Sequence, residues 1–214
     1  ECGRLYFHYV NQAMCMLENG KAALDDMYPV VGKTVTIAAT GSRVLHGVFK
    51  EYLAQREDVR LQMVRMRTSE VSSYLDRKDI DYVLSSVAVP GEKYERMLLL
   101  TEDLVLVVNE HNPLASKRKI ALSDARNEKF IALPLGYGLR ENSDELFSRA
   151  GISPNIIMEC DNDMRITMIA ANYGVTLTSR NACTSGVFPS SAVFVDIVSP
   201  VFKREVILVW NKHR

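Results

Sequence analysis

The chain has 214 residues, 47% of them hydrophobic and 24% charged, the balance of an ordinary globular protein large enough to bury a core as one large or two small domains. Twenty-six basic residues face twenty-six acidic ones, so the formal charge is zero and the sequence lacks the clustered positive charge with which proteins grip nucleic acid. No apolar run reaches the roughly 18 residues that would cross a bilayer, because Met97 to Val108 is broken by Thr101, Glu102 and Asp103.

The first predicted element is a long helix. Tyr6, Val10, Ala13, Leu17, Gly20, Leu24 and Met27 follow alternating steps of four and three, the seam spacing of a coiled coil, and Pro29 with Gly32 marks its end. An intersubunit helix over residues 1–30 is expected, with a helix packed on its own domain as the alternative. The start, Glu1-Cys2-Gly3-Arg4, has neither an initiating Met nor the charged-then-apolar order of a secretory leader, so the sequence reads as part of a longer chain.

Strands and helices then alternate. Thr34 to Ala39 reads as a strand, and Val44, Leu45, Val48, Phe49, Tyr52 and Leu53 form a helical stripe behind Ser42, a good N-cap. Val59 to Val64 is a second strand, Thr68-Ser69-Glu70 opens a short helix, and Ile80 to Leu84 is a third strand. Such alternation implies βαβ crossovers and a mainly parallel sheet. A looser repeat follows, with strands at 104–108, 130–133, 156–160, 175–178, 193–197 and 206–210 and helices at 141–150 and 163–171. Lys117-Arg118-Lys119 reads as a solvated loop. Two α/β subdomains result, and the cleft between two such lobes is the default ligand site.

Thr40-Gly41-Ser42, Thr68-Ser69 and Asp161-Asn162 each present backbone N–H groups and polar side chains at the start of a predicted helix, where carboxylates and other acceptors are held well. The plain alternative is that these residues only cap their own helices. The four histidines lack metal-ligand spacing, and Gly136-Tyr137-Gly138-Leu139-Arg140 lacks the lysine and the third glycine of nucleotide loops. Neither metal nor cofactor is expected, and nothing demands an enzyme. Four scattered cysteines point to a reducing, cytoplasmic setting; Cys160, just ahead of a helix start, is the best candidate for redox sensing, with Cys183 as its partner if a loop brings them together, and plain structural thiols are the favoured alternative.

Several stretches together resemble the linker helix and effector-binding domain of LysR-type transcriptional regulators. They are Gly3 to Tyr6, Gly32 to Ala38, Asp79 to Tyr82, Glu102 to Val107, His111 to Ala115, Ile169 to Leu177 and Val206 to Trp210, and their order and spacing carry the resemblance across nearly the whole chain. The resemblance implies two Rossmann-like subdomains similar to type 2 periplasmic binding proteins, one over 33–103 and 199–214 and the other over 104–198, behind the helix of residues 1–30. It implies a small-molecule effector held between them. Thr40, Gly41, Ser42, Arg43, Thr68, Ser69 and Ser86 would line one wall. Tyr137, Gly138, Leu139, Arg140, Asp161, Asn162, Thr178 and Ile197 would line the other. Some relatives that bind aromatic carboxylates carry an arginine where Ser85-Ser86 stands, so a dianionic effector would rely on Arg43 or Arg140. A homodimer, extended to a tetramer in the intact protein, is implied, with promoter DNA reached only through a winged helix-turn-helix ahead of residue 1. The alternatives are a transport-type solute receptor with the same cleft, or a thiol-based redox variant of the regulator.

Overall fold

Alternating apolar stretches and polar turns organise the chain into five helices and ten strands among the described residues, which in this computed structural model are 2–27, 33–41, 46–56, 59–77 and 79–212. The chain divides into two compact units, Glu1–Met97 with Leu208–Arg214, and Leu98–Ile207. The crossings were expected near residues 103 and 198.

The first unit begins with α1 (Cys2–Met27), which spans the predicted seam. β1 (Lys33–Ala39) lies between β2 (Val59–Arg65) and β3 (Tyr82–Ser85), parallel to both. α2 (His46–Gln55) joins β1 to β2, and a short 3-10 turn at Thr68–Glu70 leads into α3 (Val71–Leu75) before β3. β-branched Thr34, Val35, Thr36 and Ile37 suit the pleated conformation. Ile37, Ala38, Val83 and Leu84 are buried with Val71 and Leu75 of α3. Asp81 fastens the start of β3 to β1, its carboxylate accepting the Thr36 N–H at 2.7 Å.

β4 (Tyr94–Asn109) carries the chain into the second unit, where it is buried on both faces. Leu104, Leu106 and Val108 enter a cluster with Phe130, Leu146, Phe147, Val175 and Val195, while Val107 turns the other way to Ile131 and Ile169. That alternation is the period of two of an extended strand, with a core on each side. β8 (Thr176–Ser179) and β9 (Ala192–Ser199) pair antiparallel with β4, β5 (Lys119–Ala121) is parallel to β9, and β6 (Lys129–Ala132) is parallel to β7 (Asn155–Glu159). The second unit is therefore mixed rather than mainly parallel, because β4 supplies a long strand to which its neighbours return from the opposite end. Two helices, α4 (Gly138–Ala150) and α5 (Asn162–Ala170), cover it, and β10 (Lys203–Asn211) carries the chain back.

Three local expectations differ from what is observed. Lys119 belongs to a strand, although Lys117-Arg118-Lys119 reads as loop, since an edge strand tolerates charge along its exposed side. β4 begins ten residues before Leu104, and α4 begins at Gly138, ahead of the start expected at Glu141.

Candidate functional site

In the first unit three parallel strands end together. Ala39 is opposite both Arg65 of β2 and Leu84 of β3, so Thr40-Gly41, Met66 to Thr68, and Ser86 behind the last residue of β3, Ser85, all follow strand ends at the same edge. Two backbone bonds close this edge, from Thr40 N–H to the Leu84 carbonyl at 3.3 Å and from Met66 N–H to the Ala39 carbonyl at 3.1 Å. Carboxyl ends of parallel strands are where open α/β sheets bind ligands, since the chain there turns and frees polar groups. Thr40 and Ser86 are buried, Thr68 is half-buried, and Gly41 and Ser69 are exposed. The Ser85 hydroxyl is engaged locally, donating to the Val87 carbonyl at 2.9 Å and accepting the Val87 N–H at 3.1 Å. Ser42 and Arg43 lie outside the described residues.

In the second unit six of the predicted residues lie at the starts of α4 and α5, while Thr178 and Ile197 lie on β8 and β9. Tyr137 is the N-cap residue of α4, with no side-chain cap of its own, and Gly138, Leu139 and Arg140 form the first turn. Arg140 is buried, and its guanidinium donates to the Leu133 carbonyl at 2.8 Å, to Asp144 at 2.9 Å and to Glu159 at 2.5 Å. Burial alone would lower its pKa, yet the two carboxylates outweigh that and hold the cation in its charged form. Arg140 therefore ties the end of β6, the first turn of α4 and the end of β7 together.

Asp161 caps α5, its carboxylate accepting the Met164 N–H at 2.9 Å, so this residue performs the capping role of the plain alternative. Asn162 accepts from the Arg165 guanidinium at 2.6 Å. Arg165 is buried beneath it and donates also to the Leu177 carbonyl at 3.0 Å and the Thr176 hydroxyl at 3.2 Å, which links α5 to β8. Thr178 is buried on β8 opposite Val105, and Ile197 packs on the core of its unit. Between α4 and the sheet is a cavity of about 20 Å³ lined by Phe130, Leu133, Arg140, Ser143, Arg165 and Thr176, room for roughly one water molecule.

Sequence reasoning missed the partners of these cations. Glu159 and Asp144 around Arg140, and Thr176 above Arg165, meet only after strand pairing and helix packing are set. An arginine four residues before an aspartate in α4 was the one local signal.

Cys160 and Cys183 are half-buried free thiols. Burial pushes both pKa values up, against the opposing pull of Arg165 on Cys160 and of Arg180 on Cys183. Among the described residues no group of three His, Cys, Asp or Glu side chains could hold a metal ion, and no helix is long and apolar enough to cross a membrane.

Two α/β units joined by two chain crossings, the first with hydroxyl-bearing residues at a shared strand edge, define the class of α/β protein to which this chain belongs. Residues 31–214 match the model of the LysR substrate binding domain, and the chain belongs to that family. Among its relatives, the uncharacterized HTH-type transcriptional regulator YybE of Bacillus subtilis (strain 168) is 24% identical over 99% of this chain and 73% of its own length. The transcriptional dual regulator GltC of the same organism is 25% identical over 99% of this chain and 72% of its own. Among solved structures, the effector binding domain of QuiR in complex with shikimate superposes with a TM-score of 0.72 at 20% identity, covering 86% of this chain and 89% of that one. The BenM effector binding domain with its effector benzoate gives 0.74 at 20% identity, covering 86% and 85%. These structural likenesses establish a shared fold.

Proposed function

We propose that this chain is the effector-sensing and oligomerising part of a bacterial LysR-type transcriptional regulator, working in the cytoplasm without catalysis. Family membership and the kinship with transcriptional regulators support the regulatory role, and a regulator of this kind needs no catalytic step. The observation that carries the sensing role is the convergence of Thr40, Thr68 and Ser86 on one edge of three parallel strands. A small molecule would draw on these hydroxyls in the first unit; in the second, the starts of α4 and α5 form a polar surface of their own. Arg140 would contribute chiefly by shaping that second surface, since its charge is already balanced by Glu159 and Asp144. Promoter DNA would be reached through a winged helix-turn-helix ahead of residue 1.

An effector changes an equilibrium only by the difference in its affinity for two states, commonly about 1–3 kcal/mol of coupling. The thiol-based variant draws no support from Cys160 and Cys183, since a sensing thiol needs a lowered pKa and both are raised. The test is a thermal-shift screen of small metabolites followed by calorimetric titration of the parent chain and of Thr68→Ala. Loss of one hydroxyl contact should weaken a bound metabolite by roughly fivefold, equivalent to about 1 kcal/mol. Should every metabolite that binds tightly ignore both Thr68→Ala and Thr40→Val, the hydroxyl edge is not the site.

A further inference from the structure

The second unit contains an ion pair that neither the capping nor the ligand-facing residues account for. Glu102 stands on β4, five residues into the unit, and Arg204 on β10, shortly before the chain leaves at Ile207. Their side chains are 3% and 6% exposed, and the guanidinium meets the carboxylate at 2.5 Å. Burial drives the Arg204 pKa down while Glu102 opposes it. Each partner also makes a second bond to another element. Arg204 donates to the Asn142 side-chain carbonyl on α4 at 3.2 Å, and Glu102 accepts the Asn181 N–H from the 3-10 turn Arg180–Thr184 at 3.2 Å. On the next residue of each strand, Asp103 and Lys203 form a second pair at 2.7 Å, but this one is about half exposed. Residue 102 meets 204 and 103 meets 203, the order of antiparallel neighbours whose side chains alternate between faces.

We propose that the Glu102–Arg204 pair is a lock that makes the entering strand, the leaving strand, α4 and the Arg180–Thr184 turn move as one body. The outer Asp103–Lys203 pair has no such role, because solvent screens it and its reach to a third element is only the through-space pull of Asp103 on Arg180, with no hydrogen bond to hold it. A buried ion pair recovers its desolvation cost only when geometry and further hydrogen bonds are good, and apolar residues of similar volume often stabilise a fold as well or better. What apolar residues do not supply is the directional bond to Asn142 and to the Asn181 amide. Both residues are thus positioning residues. The lock rests on the proposed sensing role only for its purpose. Tyr137 to Arg140 open the same helix that Asn142 belongs to, so a ligand displacing that first turn would move the two strands by which the chain enters and leaves the unit.

Hydrogen exchange on the 214-residue chain tests this without any ligand, so its outcome is separate from that of the metabolite screen. The double variant Glu102→Leu/Arg204→Met should melt within about 3 °C of the parent. Its amides at 139–143 and 181–184 should nevertheless exchange about tenfold faster, with β6 and β7 unchanged. Lys203→Ala should leave all of these amides at parental rates. Unchanged exchange in the double variant overturns the lock, as does acceleration spread evenly through the unit or an equal effect of Lys203→Ala. Failure of the double variant to fold also overturns it, because the pair would then supply stability rather than coupling.

Discussion

Burial and charge act on single side chains in opposite directions here, and the balance decides which groups are chemically available. Arg140 keeps its charge because two carboxylates meet it, and that makes it a tie between elements. Cys160 and Cys183 experience the reverse balance, in which desolvation outweighs the nearby arginines. A thiol whose folded pKa is raised favours its neutral form. The associated stabilisation is complete below the unfolded thiol value of about 8.5 and is lost as pH rises through the higher folded value. Alkylation by iodoacetamide at pH 7.5, followed by mass spectrometry, should therefore label exposed Cys2 well before Cys160 and Cys183. The labelling rate of the two half-buried thiols should climb with a midpoint above about 8.5. A midpoint below that value, or a Cys160–Cys183 disulfide after mild peroxide, would restore the redox reading.

Between elements, close backbone approach matters as much as side-chain chemistry. A Cβ added at Gly174 would sit 2.5 Å from the Lys129 carbonyl oxygen, the same oxygen that accepts the Val175 N–H at 2.8 Å where β6 runs beside the start of β8. Gly174→Ala must push that carbonyl away and strain the junction of β6 and β8. Overpacking of this kind costs typically about 1–3 kcal/mol, seen as a lower urea midpoint at unchanged slope. Gly151→Ala at the left-handed end of α4, with φ +65° and open space around it, should cost only about 1 kcal/mol. Equal losses at the two sites would contradict the crowding argument. Gly174 stood inside a stretch that resembles the family, yet its neighbour Lys129 is 45 residues away, and no local pattern reports such an approach. Where structure depends on local pattern the sequence was readable: β-branched Thr34 to Ile37 and the apolar run Leu104 to Val108 both form strands, and Asp161 caps α5. It was not readable where a charged edge strand looks like a loop, as at Lys119, or where the first half of β4 is largely exposed and its apolar run Met97 to Leu100 does not alternate with polar residues. The placement of the candidate residues was legible to the same extent. Strand ends locate Thr40, Thr68 and Ser86, while the engagement of Arg140 and Arg165 depends on pairings across 19 and 12 residues.

At the scale of the whole molecule the question is what α1 is for. Its seam residues Tyr6 and Leu17 are 75% and 71% exposed, and Val10, Ala13 and Gly20 on the same seam are exposed as well. The alternative of a helix packed on its own domain would bury these side chains, so exposure favours a second copy of the chain as the partner. Neighbouring Phe7, Tyr9, Met14 and Met16 are also exposed, widening the apolar surface well beyond a narrow seam. Single exposed apolar side chains are common, but a contiguous stripe of aromatic and aliphatic residues marks an interface. A paired helix buries each seam side chain for about 1.5–3 kcal/mol, enough that several together hold a dimer at micromolar concentration. Sedimentation equilibrium should then return about twice the chain mass of 24.1 kDa. Val10→Asp with Leu17→Asp should return the single-chain mass with a melting curve close to the parent, since neither side chain is buried in its own chain. A variant that stays dimeric would move the interface to the α/β units, and one that loses its melting transition would mean that α1 folds onto its own unit after all.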